Sequence, residues 1–210
     1  MGDLTIWTYD WVPEAPRGHV RDLRLRWTAE EAGRPYVVRT VPIMDRGAAH
    51  LARQPFHQVP FLDDGDLRLF ESGACVMQIA EGSALLPASG QARADVVEWV
   101  FAALNSVEVI TLPWWFVGQA KGDATALAEW MDKRFDKLGA VLEGRDWIAG
   151  SEFSVADVLM ADVLRIPRDL GALERHPGLA EYVARACARP AFKRAHRAQM
   201  DHFAVATPPG

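Results

Sequence analysis

The period of apolar and polar positions changes repeatedly over the first eighty residues and then settles. Leu4 to Tyr9 (LTIWTY) is β-branched and aromatic and predicts a strand. Residues 10–18, DWVPEAPRG, carry two Pro and a Gly and predict a loop. From about His19 to Ala32, Val20, Leu23 and Trp27 recur at helical spacing, with Leu25 beside them, and Gly33 supplies a stop. Pro35 to Ile43 predicts a second strand, and residues 44–58 read as irregular or weakly helical. Val59–Leu62 and Leu67–Phe70 predict two short strands joined as a hairpin through Asp64-Gly65. A helix is expected from Ser72 to about Glu81.

Beyond residue 82 no strand pattern appears. Ala92 to Ile110 has long helical periodicity, which predicts a helix broken near Pro113. Asp123 to Leu142 predicts another helix, Gly144 and Gly150 mark a turn region, and a further helix starts at Ser154. Pro177–Ala188 and Pro190–Phe203 predict two more, before a frayed ATPPG tail. The expected division is a first domain over 1–82, a linker at 83–90 and an all-helical domain over 91–210. A β-α-β unit with a right-handed crossover, followed by β-β-α, is a thioredoxin-like arrangement. The expected fold class is therefore an α/β thioredoxin-like domain with a mixed four-stranded sheet, followed by an all-α helical bundle.

Composition removes some functions. The formal charge of −5 argues against a general nucleic-acid binder, which needs a basic surface to displace counterions. It leaves room for a local basic pocket. No stretch reads as apolar enough to span a bilayer. The start, MGDLTIW, has no basic region ahead of an apolar one, so no signal peptide is expected and the location reads as cytoplasmic, without a membrane partner. Cys75 and Cys187 stand far apart in apolar helical surroundings and predict buried, reduced thiols, with no metal site. Eight Trp predict extensive aromatic packing.

Residues 54–77, QPFHQVPFLDDGDLRLFESGACVM, carry most of the chemistry. Pro inside a strand contradicts ladder pairing, because Pro has no N–H. The contradiction resolves if the Val59-Pro60 bond is cis and the strand starts there. Such a bond leaves the preceding residue's N–H and C=O free to pair with an extended peptide. About a dozen residues later, a helix N-terminus offers N–H groups and a Ser hydroxyl suited to a carboxylate. A peptide clamp beside a carboxylate socket suits a small acidic peptide. The series QVP, a DDG hairpin, then ES opening a helix resembles the glutathione site of the glutathione S-transferase superfamily.

A second signature lies at residues 153–158, Phe-Ser-Val-Ala-Asp-Val. Ser154 is a candidate N-cap with Asp157 at the third helical position, and Phe153 and Val158 are placed as a hydrophobic staple. With Trp147-Ile148-Ala149-Gly150 upstream, the pattern GxxFSxAD is similar to the folding motif in the helical domain of the same superfamily.

The resemblance implies roles at matching positions. The Val59 backbone pairs with the cysteinyl unit of glutathione, and Pro60 is the cis-Pro. Glu71 and Ser72 take the γ-glutamyl end, and Gln58 reaches the glycyl or γ-glutamyl end. His57 departs from the pattern, since many relatives have a small residue there, often Gly. The implied chemistry is conjugation of glutathione, bound as thiolate, to a small hydrophobic electrophile. Glutathione is then a co-substrate, no metal is needed, and a homodimer is expected. A glutathione-dependent isomerase or dehalogenase is the catalytic alternative, and a non-catalytic binding or regulatory protein is the other.

The thiol of glutathione, with an ordinary pKa of about 8.5, needs a donor or positive charge near sulfur. In the family this comes from a Tyr, Ser or Cys after the first strand. Residues 1–34 hold no Ser or Cys and a single Tyr. Tyr9 is the first candidate donor, with Arg17 and His19 beside it and Thr8 weaker. The missing cysteine disfavours thiol–disulfide exchange by a protein thiolate. The electrophile pocket is expected from Trp11, Asn105, Val109, Trp114 and Trp115, with Phe116 adjoining.

Overall fold

A computed structural model of the chain describes residues 4–208, so Met1 to Asp3 and the last two residues of the tail lie outside it. By packing, the chain divides into two compact units, one made of residues up to Ser83 together with those from Pro190 onward, the other of Ala84–Arg189.

The first unit is built on a four-stranded sheet in the order β2-β1-β3-β4. Strand β1 (Leu4–Tyr9) alternates: Leu4 and Ile6 are buried on one face, while Trp7 and Tyr9 stand half-buried on the other. It pairs in parallel with β2 (Tyr36–Val41) and antiparallel with β3 (Phe61–Asp64). Strand β4 (Leu67–Phe70) closes the hairpin, with Asp64 opposite Leu67. The two turn residues are therefore Gly65 and Asp66, one position later than the sequence suggested.

Helix α1 (Asp22–Ala32) starts three residues after the expected His19 and ends at Gly33, whose φ of 64° is the left-handed turn that glycine adopts without penalty. Its residues Asp22 to Ala29 are all buried, polar ones included, which is why its apolar periodicity is weak in the sequence. A four-residue helix α2 (Ala48–Leu51) occupies the irregular stretch, and α3 (Ser72–Ala80) follows β4 after a single residue. Helix α9 (Pro190–Ala204) packs on α1 within this unit, although the sequence division grouped it with the helical domain.

The second unit is wholly helical. Helix α4 (Gly90–Ala102), a π-helical stretch (Ala103–Glu108) and α5 (Val109–Gln119) run on without a break. The expected break at Pro113 does not occur. Pro113 removes one donor, but Ala103, Val107, Ile110 and Thr111 stay buried, and these segments pack on α7 (Val155–Asp169). The continuous helix Gly90–Gln119 is long and apolar enough to cross a bilayer, which corrects the expectation that no stretch is. It packs on α6 (Thr125–Leu142) and α7 along one side, with 33% of its most apolar window buried. Helix α8 (Pro177–Cys187) completes the bundle.

The start of α7 has the capping box read from the sequence. Asp157 is fully buried and accepts from Ile148 N (2.8 Å), Ser154 N (2.9 Å), Ser154 Oγ (2.9 Å) and Tyr182 Oη (2.9 Å). Burial raises its pKa, and these donors oppose the shift.

Candidate active site

The Val59-Pro60 bond is cis, as the sequence required, but the strand begins at Phe61 rather than at Val59. Pro60 has no N–H for the ladder, so pairing starts one residue later, with Phe61 opposite Trp7 and Phe70. Val59 is buried with Val41 and Phe61, and Trp7, Tyr9 and Val20 pack against this cluster. Trp7 stacks on Phe61 at 5.2 Å.

The loop ahead of Val59 is held through its carbonyls and amides. Gln54 is buried, and its Oε1 accepts from Phe56 N (2.6 Å) and Gln58 N (3.1 Å). His50 Nε2 donates to the Gln58 carbonyl at 2.9 Å. The His57 carbonyl accepts from Tyr9 Oη (3.1 Å) and Arg46 Nη1 (3.0 Å). His57 itself has φ 52°, a left-handed backbone state that glycine adopts more readily than histidine. None of these supports was read from the sequence, because each joins a side chain to a backbone atom of a segment without regular structure.

The socket expected for a carboxylate lies where β4 gives way to α3. Glu71 makes the turn alone, with φ 69° and ψ 119°, a backbone state that costs a non-glycine residue about 1–3 kcal/mol. Its carbonyl accepts the Cys75 N–H at 2.9 Å and opens the helix, while its side chain stays exposed. Ser72 is the first helical residue and is buried, with its Oγ accepting from Arg24 Nη1 at 3.1 Å. Arg24 is itself buried. A hydroxyl, the free N–H groups of a first helical turn and a buried guanidinium therefore converge. Arg24 was missed because its residue pattern within α1 gives no sign of a partner 48 positions away.

The candidates for the sulfur site lie around the end of β1. Tyr9 is half-buried; burial raises its pKa, which Arg46, 5.1 Å from its ring, opposes. The phenol is thus protonated at neutral pH, and its single proton already goes to the His57 carbonyl. Among the described residues Arg17 makes only long contacts, Nε and Nη2 to the Val12 carbonyl at 3.4 Å each. His19 is half-buried in the turn before α1. Thr8 is fully buried beside Asp22, away from this loop's surface. Trp11 is half-buried, and among the described residues its Nε1 is a buried donor without a partner.

In the second unit, Asn105 and Val109 are exposed, and Trp114 and Trp115 are half-buried. Trp115 packs on Phe116 at 4.8 Å, while Trp114 lines a cleft of about 360 Å³ with Met131, Phe135 and Arg175. Cys75 is buried and its thiol is pushed up to about 12, chiefly by burial and then by Glu71. Cys187 is raised by burial, and both cysteines are free. Among the described residues, no group of three or more His, Cys, Asp or Glu is placed to hold a metal.

Comparison with known proteins agrees with this geometry. Residues 15–81 match the glutathione S-transferase N-terminal domain and residues 95–190 the C-terminal domain. The chain is 32% identical over 163 residues to Glutathione S-transferase F11 of Arabidopsis thaliana, covering 69% of this chain and 76% of that one. It is 24% identical over 187 residues to Glutathione S-transferase GstA of Escherichia coli O157:H7, covering 82% and 90%. In fold it is similar to a glutathione transferase family member from Pseudomonas fluorescens crystallised with two glutathione bound, with a TM-score of 0.80, 21% identity, and 92% of each chain covered.

Proposed function

The chain belongs to the glutathione S-transferase family, and on that premise we propose that it binds glutathione as the thiolate and conjugates it to a small hydrophobic electrophile. The observation that carries the reading is the socket at Ser72. A hydroxyl at a helix N-terminus, held by a buried guanidinium, suits the γ-glutamyl carboxylate. Glu71, exposed at the same turn, faces the amine end by the family's pattern. Val59 supplies the backbone pairing and Gln58 the second polar contact.

For the sulfur, the reading favours Arg17 over Tyr9. Tyr9 would have to break its bond to the His57 carbonyl before donating, whereas Arg17 keeps a permanent charge and weak present contacts. His19 and the Trp11 indole are the remaining donors on the loop. The electrophile is assigned to Trp11, Asn105, Val109, Trp114 and Trp115 on the resemblance. The family also implies a homodimer. Phe56, 64% exposed beside Phe70 at the site's edge, supports a partner on that face. Two free, high-pKa cysteines suit a reducing cytoplasm.

The test is the ultraviolet thiolate absorbance of the glutathione complex titrated against pH, followed by conjugation assays over several electrophiles. A thiol pKa well below that of free glutathione supports the reading, with turnover separating conjugation from isomerisation or dehalogenation. Binding without a depressed pKa moves the chain to the non-catalytic alternative, which the engaged Tyr9 proton favours.

A further inference from the structure

Between β1 and α1 the chain runs through a loop, residues 10–19, that is touched by α9 at its start, near its end and just beyond it. At the start, His202 Nε2 donates to the Tyr9 carbonyl at 3.0 Å. Just beyond the loop, buried Gln199 donates through Nε2 to the Val20 carbonyl at 2.9 Å and to Asp22 Oδ1 at 2.6 Å. Asp22 is in turn held by Arg26 Nε at 2.7 Å. Near the end, Gly18 has φ 79° and lies tight against the helix. A β-carbon there would sit 2.9 Å from His196 Nε2 and 3.3 Å from Met200 Sδ. Only glycine satisfies both the backbone and the space.

His196, Gln199, Met200 and Phe203 follow the i, i+3, i+4, i+7 spacing of one helix face. Within the loop the bonds are short-range, Arg17 N to the Glu14 carbonyl and His19 N to the Pro16 carbonyl, while its first residue is tied to the end of β2 by Asp10 N to the Val41 carbonyl at 2.9 Å and by Ile43 N to Asp10 Oδ1 at 3.0 Å. Its place relative to the sheet is therefore set by α9 together with these two bonds of Asp10. His202 lies 193 positions from the residue it holds.

We infer that α9 is a positioning element for the thiol-activating loop and that His202 is its positioning residue. The inference rests on the glutathione chemistry proposed above. His202 touches no reacting atom; it fixes the Tyr9 carbonyl at the point where regular strand pairing ends. With that bond gone, the Tyr9 carbonyl loses its tie to α9, Asp10 alone holds the loop's start to β2, and the donors further along are less firmly placed against the sulfur. The peptide clamp at Val59 and the socket at Ser72 do not depend on it.

The experiment compares wild type, His202→Ala and His202→Gln, whose amide N–H can donate to the same carbonyl. Hydrogen exchange of residues 10–19 is read without ligand, and the thiolate titration is read on the glutathione complex. His202→Ala is expected to speed exchange across the loop, to move the thiolate curve to higher pH, and to lower turnover at neutral pH about tenfold while glutathione affinity stays within about twofold. His202→Gln is expected to restore both. A merely structural histidine leaves the thiolate curve in place, and that result overturns the positioning role even if exchange rises. Unchanged exchange in His202→Ala overturns the contact's control of the loop. A wild type with a protected loop and no depressed thiol pKa overturns the glutathione reading itself, and the two failures are told apart because exchange needs no ligand.

Discussion

At the start of α7 the acid beside the serine is buried; at the start of α3 it is exposed. In α7, Asp157 turns into the protein and collects Ile148 N, Ser154 N, Ser154 Oγ and Tyr182 Oη, so the helix's donors are answered from within. In α3, Glu71 stays outside in a strained backbone state, and the serine hydroxyl meets a cation, Arg24, instead of an anion. Two helix starts built from the same residue types thus end with opposite electrostatics. The saturated one is a fold element. The other, with a hydroxyl and open first-turn amides beside a guanidinium, is the one the proposed reading gives to the carboxylate of glutathione.

The sharpest way to break this comparison is Asp157→Ala. It leaves two backbone amides and a buried phenol without their acceptor, so the second unit is expected to lose about 2–4 kcal/mol. Chemical denaturation measures this, and glutathione affinity per folded molecule should hold. Ser72→Ala should do the reverse. Affinity for glutathione is expected to fall by about 1.5–3 kcal/mol, the range for a hydrogen bond to a charged group, with the unfolding midpoint nearly unchanged. Calorimetric titration decides, and unchanged affinity in a folded variant removes the socket. Tyr9→Phe sharpens the sulfur side. It loses one bond to a carbonyl, about 1 kcal/mol, and should leave the thiolate curve in place while Arg17→Ala moves it upward. A shift with Tyr9→Phe alone returns the donor role to the phenol.

The smallest effect concerns pH. Asp64 accepts from Arg34 (2.8 and 3.3 Å) and Gln78 (3.0 Å), and Arg34 chiefly holds its pKa below the ordinary 3.8. The folded value is the lower one, so this contribution is present above the ordinary value and is lost as pH falls through the folded value. Acid titration of wild type and Asp64→Asn should show a stability difference at neutral pH that closes in that acidic window.

What the sequence made legible was local. The strand LTIWTY, the Gly33 stop, the cis Val59-Pro60 bond and the Ser154–Asp157 box each rest on residues within a few positions of one another. The supports of the site were not legible, because they connect distant segments. Arg24 reaches Ser72, Tyr9 reaches the His57 carbonyl, and His202 reaches the Tyr9 carbonyl. Helix α1 hides its role for a related reason: Asp22, Arg24, Arg26 and Thr28 are all buried, and a hydropathy pattern marks such positions as solvent-facing. At Pro113 the local rule was outvoted by burial on α7. The roles of Gln58, Val59, Glu71 and Ser72 still rest on resemblance together with the geometry around them.

The buried thiol of Cys75 bears on how the protein meets oxidative stress. A thiol raised this far by burial is almost wholly protonated at neutral pH, and the ionised form is the one that attacks a disulfide. When the cellular pool turns from thiol to disulfide, this chain presents no ready nucleophile for mixed-disulfide capture at that position. On the proposed reading, its activity should then follow the supply of reduced glutathione and return with it, with no repair of Cys75 required.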